Sequence, residues 1–118
     1  MPAGYAQASA RPDHGKMASR VLKLSNMVTA EELLDDQEWR EIREDVEAEC
    51  SGHGSVTKVI IPRVSEGYSK ASEGLIFVAF KDVVSAAAAD KALQGRKFAN
   101  RIVISEYYDE GFFNNGIL

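Results

Sequence analysis

Apolar residues along the chain fall into four short runs that predict β-strands, at residues 21–24, 56–61, 74–80 and 102–104. The third run, GLIFVAF, is the strongest strand signal because it is continuously apolar and rich in aromatic and β-branched residues. Two longer segments with helical character, at about residues 36–50 and 83–93, separate these runs. The order of predicted elements is therefore β-α-β-β-α-β.

Local start and stop signals support both helices. Asp35 with Glu38 three residues later predicts the start of the first helix, and the sequence SGHG predicts its end. Thr29 with Glu32 forms a possible capping box just upstream. Asp82 predicts the start of the second helix, which is rich in alanine and can pack closely against a sheet.

This order is that of the ferredoxin-like α+β fold, in which a four-stranded antiparallel sheet carries two helices on one face. The other face is left open or is covered by the aromatic C-terminal segment, which forms a helix or tail. We expect one domain at residues 21–108, a disordered leader or linker at 1–20 and a C-terminal tail at 109–118. No apolar run approaches the roughly 18 residues of a membrane span.

Charge is unevenly distributed along the chain. The net charge is -4, yet residues 31–49 hold ten acidic and two basic residues, while the remainder holds eight acidic and twelve basic residues. A strongly negative helix favours a basic partner and repels a nucleic-acid backbone. The single cysteine, Cys50, cannot form an internal disulfide, and too few His and Cys residues are present for a structural zinc site. We expect no metal or cofactor.

The helical repeat places part of this charge beside the predicted core. Four residues make slightly more than one helical turn, so Glu41, Asp45 and Glu49 form one stripe along the helix. Val46 and Cys50, each one position further, form the adjoining apolar stripe. The carboxylates therefore border the core, and a ligand with an aromatic group and neighbouring cations would match both surfaces. The alternative is an ordinary solvated helix face.

Two further residues near the end of this helix have simple assignments. Cys50 falls among apolar neighbours at the helix end and is predicted to lie in the core. His53 follows in the sequence SGHG and is predicted to be a solvated loop residue.

The turn before the last predicted strand offers a second unusual feature. Gly95 is followed by Arg96 and by Phe98, which places an apolar ring at an exposed loop tip. Exposed apolar residues in such a position indicate a binding surface. The alternative is that Phe98 anchors the loop by being buried.

The chain resembles the RNA recognition motif (RRM) in order and length. In that family aromatic residues of two strands stack on RNA bases. Here the corresponding places hold Leu75, Phe77 and Lys23, so two of three rings are missing. The resemblance implies weak RNA binding at most, with Phe77 and Lys23 as the possible contacts, although Phe77 can instead pack beneath the tail.

The stretches NMVTAEELLDD, EIREDVEAEC, IIPR, IFVAF and GRKFANR are similar to one RRM subfamily, the U2AF homology motif, which binds peptides. The resemblance implies a nuclear module of a pre-mRNA splicing factor that acts in 3′ splice-site recognition. Its implied ligands are basic, tryptophan-containing peptides of splicing factors, namely the branch-point-binding protein and the large subunit of the U2 snRNP protein complex. An RNA-binding RRM remains the alternative, and no motif of an enzyme is present.

The resemblance also implies a role for each site residue. Phe98 would stack on the tryptophan of the peptide, and Val46 would contribute to the floor of the pocket. Arg96 would pair with Glu49 and close one wall. The basic residues of the peptide would contact two further carboxylates of the helix, those of Glu41 and Asp45.

Overall fold

A computed structural model describes residues 17–98 and 100–118 of the chain. Six strands and three α-helices lie in this described part: β1 Val21–Ser25, α1 Asp36–Ser51, β2 Val56–Ile60, β3 Ile76–Phe80, α2 Val83–Leu93, β4 Lys97–Phe98, β5 Arg101–Ile102, β6 Ile104–Tyr108 and α3 Glu110–Asn114. Three 3₁₀ turns accompany them, at Glu32–Leu34, Val64–Glu66 and Lys70–Ser72.

The main sheet has four antiparallel strands in the order β2-β3-β1-β6. Leu22 on the central strand β1 lies opposite Val78 of β3 and Tyr107 of β6. Residues that alternate along each strand point to opposite faces, so this register separates the side chains into two layers. The predicted α+β RRM fold is confirmed.

The two faces of the sheet carry separate apolar clusters. Leu22, Ile76 and Val78 face α1 and α2 and belong to the larger cluster. On the opposite face Phe77 belongs to a smaller cluster that Phe113 of α3 closes. The C-terminal segment therefore forms a short helix that lies on the sheet, which is one of the two arrangements expected from the sequence.

Side-chain caps begin both long helices where the sequence predicts them. The Asp35 carboxylate accepts a hydrogen bond from the Glu38 backbone N–H at 2.9 Å, and Asp82 accepts one from Ser85 at 2.8 Å. The capping box of Thr29 and Glu32 also forms, with both residues' backbone N–H groups paired to the other side chain. It starts only a 3₁₀ turn, because Asp35 is extended and begins a new helix.

The prediction of a last strand at residues 102–104 is wrong in its bounds. Arg101–Ile102 pairs with Lys97–Phe98 in a separate hairpin, and the sheet strand is Ile104–Tyr108. Val103 separates the two, because its N–H bonds to the Arg96 carbonyl and its own carbonyl accepts from Gly95. Tyr107 and Tyr108 thus belong to the sheet.

The predicted leader falls mostly outside the described residues, which begin at Met17. Within the part described, Ser19 is buried and its hydroxyl donates to the Tyr108 carbonyl at 2.6 Å. Arg20 bonds to Glu110 of α3 through both its backbone and its side chain. Among the helices of the described part, each is too short or too polar to cross a bilayer.

Candidate functional site

A cavity of about 430 Å³ opens between α1, the end of α2 and the β4–β5 hairpin. It brings together five of the residues predicted from the sequence, namely Asp45, Val46, Glu49, Arg96 and Phe98. The helix contributes the first three of these and the turn after α2 contributes the last two. Residues 47 positions apart in the chain therefore share one site.

The turn that carries Arg96 is shaped by Gly95. Gly95 has a φ of 80°, which a residue with a side chain rarely adopts, and its N–H donates to the Val103 carbonyl at 2.9 Å. The Arg96 N–H donates to the Leu93 carbonyl at 3.0 Å, which continues the turn from α2. Arg96 is thereby held over the C-terminal part of α1.

Arg96 and Glu49 form an ion pair that closes one side of the cavity. The Arg96 guanidinium donates to Glu49 Oε2, and both side chains stay partly exposed. The Arg96 hydrogen bond holds the pKa of the Glu49 carboxyl below its usual range, with a smaller contribution from His53. The predicted pairing is confirmed, while its role in peptide binding stays a prediction.

Phe98 lies on β4 and is half-buried, with its ring against the main core and one side on the cavity. The hairpin beneath it is attached to the segment after β1. Arg101, the partner of Phe98 in the hairpin, donates to the Met27 carbonyl at 2.7 Å and to Glu32 at 3.0 Å. The hairpin that carries the ring is thus held by hydrogen bonds to the loop and the 3₁₀ turn that follow β1.

The two stripes predicted from the helical repeat are found on the side of α1 that faces the cavity. Val46 and Cys50 are buried, Glu49 is half-buried and Asp45 is exposed at the rim. Glu41 lies one turn, or about 6 Å, before Asp45 along α1 and does not line the cavity. It is exposed, and its carboxylate accepts a hydrogen bond from Gln37 at 3.2 Å.

The apolar floor of the cavity was not predicted from the sequence. It consists of Leu24, Met27, Cys50, Leu93 and Val103 in addition to Val46. These residues come from β1, the loop after it, both long helices and the segment after β5. Their apolar character predicts a core, and only the tertiary arrangement leaves this part of the core open.

Two groups near the floor differ in accessibility. Burial raises the pKa of the Cys50 thiol to about 12, with a smaller contribution from Glu49, so the thiol stays protonated at neutral pH. His53 lies in the turn after α1, as expected, but it is not freely solvated. Its ring is half-buried, and its Nε2 atom lies 3.6 Å from Glu49 Oε2, on the same carboxylate that Arg96 binds.

The candidate RNA contacts lie on the other face of the sheet. Phe77 has no exposed surface and packs edge-on against Tyr108, with 4.9 Å between ring centres. This confirms that it packs beneath the C-terminal segment. Lys23 is partly exposed, and its Nζ lies 3.0 Å from Glu106. An RNA role for these two residues stays a prediction.

A family model for the RNA recognition motif matches residues 42–103. The match covers more than half of the chain, which therefore belongs to the RNA recognition motif family. The described part has no group of three His, Cys, Asp or Glu side chains arranged to hold a metal ion.

The sequence relatives are large or 59 kDa subunits of one splicing factor, U2AF. The chain is 38% identical over 101 residues to a U2af large subunit of Nicotiana plumbaginifolia, a splicing factor, and the match covers 85% of this chain and 18% of the relative. It is 37% identical over 103 residues to a U2af large subunit of Arabidopsis thaliana, and that match covers 86% of this chain and 18% of the relative. The chain is also 32% identical over 102 residues to the splicing factor U2AF 59 kDa subunit of Schizosaccharomyces pombe. That match covers 86% of this chain and 20% of the relative.

The sequence resembles the RRM-like C-terminal domain of the U2AF large subunit. These relatives confirm that resemblance. The chain spans about a fifth of the length of these relatives. Solved structures agree on the fold alone. The RNA15 RRM superposes with a TM-score of 0.55 at 24% identity, covering 86% of this chain and 98% of that one. The C. elegans NONO-1 homodimer superposes with a TM-score of 0.53 at 18% identity. That match covers 78% of this chain and 29% of the NONO-1 chain.

Proposed function

We propose that this domain is a protein-interaction module of a nuclear pre-mRNA splicing factor and that it binds a short basic peptide carrying one tryptophan. The partners are other splicing factors that act at the 3′ splice site, namely the branch-point-binding protein and the large subunit of the U2 snRNP protein complex. The similarity to U2AF large subunits supports this context.

One observation carries the proposal: a cavity with an apolar floor is bordered by the Phe98 ring, by the Glu49–Arg96 pair and by the Asp45 carboxylate. Its volume of about 430 Å³ lies in the range of small-molecule pockets, about 300–1,000 Å³. A tryptophan side chain entering it stacks on Phe98 and reaches the floor at Val46. The residues before or after the tryptophan then pass over the acidic rim.

The two parts of the ligand contribute different amounts of binding free energy. A buried aromatic anchor is worth about 2–4 kcal/mol when truncated. Each ion pair at the rim adds about 0.2–1 kcal/mol, because Glu41 and Asp45 are solvent-exposed. The carboxylates therefore speed and steer association more than they hold the complex together.

Calorimetric titration with a Lys/Arg-rich peptide that contains one tryptophan tests the site. We expect a Kd of about 1 μM or tighter for the unmodified protein. Phe98→Ala should weaken binding by about 30-fold or more, corresponding to about 2 kcal/mol. The matched control is Phe112→Ala, since Phe112 is exposed on α3 and lies outside the cavity. Unchanged affinity in the Phe98 variant rules out this site.

The rim is tested separately by association kinetics. Asp45→Asn should lower the association rate and the salt dependence of binding, whereas the exposed Glu44, which does not line the cavity, serves as the control when changed to Gln. Equal effects of the two variants would mean that only the overall charge of the helix matters. A pyrimidine-rich oligonucleotide that binds more tightly than the peptide would favour the RNA-binding alternative.

A further inference from the structure

The imidazole of His53 lies beside the Glu49–Arg96 pair, although it does not line the cavity itself. His53 follows α1 in the turn, and its backbone N–H donates to the Cys50 carbonyl at 3.0 Å. Its Nε2 atom is buried, has no hydrogen-bond partner among the described residues and lies 3.6 Å from Glu49 Oε2. The Arg96 guanidinium binds the same oxygen. One carboxylate oxygen therefore serves two basic groups that come from different segments of the chain.

The charged and titratable groups around this imidazole come from three segments. On α1 they are the Glu49 carboxylate and the Cys50 thiol, and burial raises the pKa of that thiol to about 12, so it stays neutral. Arg96 reaches the carboxylate from the turn after α2. The start of α2 packs through the Ser85 side chain against the glycine that follows the imidazole, and its cap, Asp82, accepts the Ser85 N–H at 2.8 Å. Among the described residues, Glu49 is therefore the acidic group that a protonated imidazole meets directly.

A proton on His53 changes the charge balance of the site. The charged side chains that line the cavity are Asp45, Glu49, Arg96 and Lys97, two acidic and two basic, so their formal charges cancel. An imidazolium carries a hydrogen on both ring nitrogens, so Nε2 then donates to Glu49 and one positive charge is added beside the carboxylate. A hydrogen bond between two charged groups is stronger than one from a neutral ring. The carboxylate oxygen is then less available to Arg96 and to a cation of the peptide.

We propose that His53 is a positioning residue of the peptide site, which acts through Glu49 and makes the binding of a basic peptide depend on pH. The inference rests on the proposed function. Histidine is the side chain whose charge ordinarily changes between about pH 5 and 8. The neutral imidazole leaves Glu49 to Arg96 and to the peptide, whereas the imidazolium competes for it and repels the cations of the peptide. Because linkage is reciprocal, a bound basic peptide disfavours the imidazolium, and binding releases a proton.

Calorimetric titration with a Lys/Arg-rich tryptophan peptide that contains no histidine, from about pH 5.5 to 7.5 at constant ionic strength, tests the inference. The Kd should be about threefold higher at the acidic end, since one charge at a partly exposed rim changes affinity by up to about fivefold. Glu49 stays ionised over this range because the Arg96 hydrogen bond holds the pKa of its carboxyl below the usual range. At about pH 6.5, repeating the titration in buffers of different ionisation enthalpy should show the release of a proton.

Two variants of His53 fix the charge of the side chain. His53→Gln stays neutral and should keep the Kd within about 1.5-fold across the range, close to that of the unmodified protein at about pH 7.5. His53→Lys stays positive and should bind about threefold more weakly at about pH 7.5, with little further change at lower pH. The matched control is His14→Gln, which removes the other histidine of the chain, outside the described residues, and should keep the full pH dependence.

A measurement without peptide separates this inference from the peptide site. In NMR spectra of the free protein, the Glu49 carboxyl resonance should shift with the same midpoint as the His53 ring, and His53→Gln should abolish that shift. The inference is overturned if the carboxyl does not follow the ring, if His53→Gln keeps the pH dependence of the Kd, or if His14→Gln loses it. A peptide that binds at no pH overturns the proposed function as well, whereas binding that is equally tight at every pH overturns only this inference.

Discussion

Asn26 shows how one residue supports the site from outside it. The residue has a φ of 65°, in the left-handed region, and it follows β1 at the point where the chain turns toward α1. Its side-chain Nδ2 donates to the Ile102 carbonyl at 2.9 Å. The bond connects the end of β1 to the hairpin that carries Phe98, so the conformation and the side chain of Asn26 both affect the cavity.

Two substitutions of Asn26 separate these contributions. Asn26→Gly keeps the left-handed conformation and loses the hydrogen bond, which should reduce the free energy of unfolding by about 1 kcal/mol. Asn26→Ala also places a side chain in the left-handed region, at a further cost of about 1 kcal/mol. Urea denaturation measures both. An alanine variant as stable as the glycine variant would mean that the backbone conformation relaxes freely.

At this scale the sequence predicts pairs better than it predicts the shape of a cavity. The Glu49–Arg96 pair was implied by the family resemblance, and helix periodicity agrees with it by placing the Glu49 carboxylate on the edge of the core stripe. Met27 and Val103 could not be assigned to the site, because an apolar residue that lines an open floor has the same sequence signal as one in a closed core. The partial burial of His53 and its approach to Glu49 one turn earlier could likewise not be seen in the sequence SGHG.

Among the elements, α3 is the smallest and depends most on tertiary contacts. It has five residues, which is too short to be stable alone. The Asp109 carboxylate caps it by accepting from the Phe112 N–H at 2.9 Å, and Glu110 binds Arg20. Phe113 is buried against Val21, Phe77 and Ala79, whereas Phe112 is half-exposed. The helix is therefore held mainly by one ring.

Phe113→Ala is expected to detach α3 from the sheet without unfolding the domain. Loss of a buried phenylalanine costs about 3–5 kcal/mol in a closed core, and we expect about 2 kcal/mol here because the smaller cluster lies at the surface. Hydrogen exchange at the amides of residues 110–114 should become fast, while β1 and β3 stay protected. Phe112→Ala is the matched control and should raise exchange much less, because Phe112 is half-exposed and makes only an edge-on contact with Tyr108. Equal exchange in the two variants would contradict the role of Phe113.

Element boundaries were predictable where a side chain marks them. Asp35 and Asp82 begin the helices in both the sequence and the structure, because the capping bonds are local. The predicted bounds of the last strand were wrong because residues 102–104 are all apolar. The sequence does not show that Val103 is buried between the β4–β5 hairpin and strand β6, which pairs with β1. The tyrosines at 107 and 108 fit a strand or an aromatic tail equally well, and only pairing with β1 decides between them.

Viewed whole, the molecule separates its charges between two sides of one sheet. The helix side presents the carboxylates of α1, and the opposite side presents Lys58 and Lys81. The low net charge therefore conceals two surfaces of opposite sign.

Five ion pairs of the described residues link segments that are distant in sequence, and three of them lower the pKa of their carboxyl and so make stability depend on pH. Glu32 is held by the Thr29 N–H and by Arg101, Glu49 by Arg96, and Glu110 by Arg20, and these hydrogen bonds lower the pKa of each carboxyl. A lowered pKa in the folded state contributes stability above the unfolded value, about 4.3 for Glu, and that contribution is lost as pH falls through the folded value.

We therefore expect the free energy of unfolding to be nearly constant from about pH 7 to 5 and to fall below about pH 4.5, as measured by urea denaturation at each pH. Changing Glu32, Glu49 and Glu110 together to Gln should destabilise the protein at pH 7, and the difference from the unmodified protein should shrink as pH falls and the original carboxyls become protonated. The control variant changes Glu31, Glu38 and Glu44 to Gln in the same way. These three residues are exposed and form no salt bridge with any described residue. A constant difference between the first variant and the unmodified protein across the whole pH range would show that the three pairs do not set this dependence.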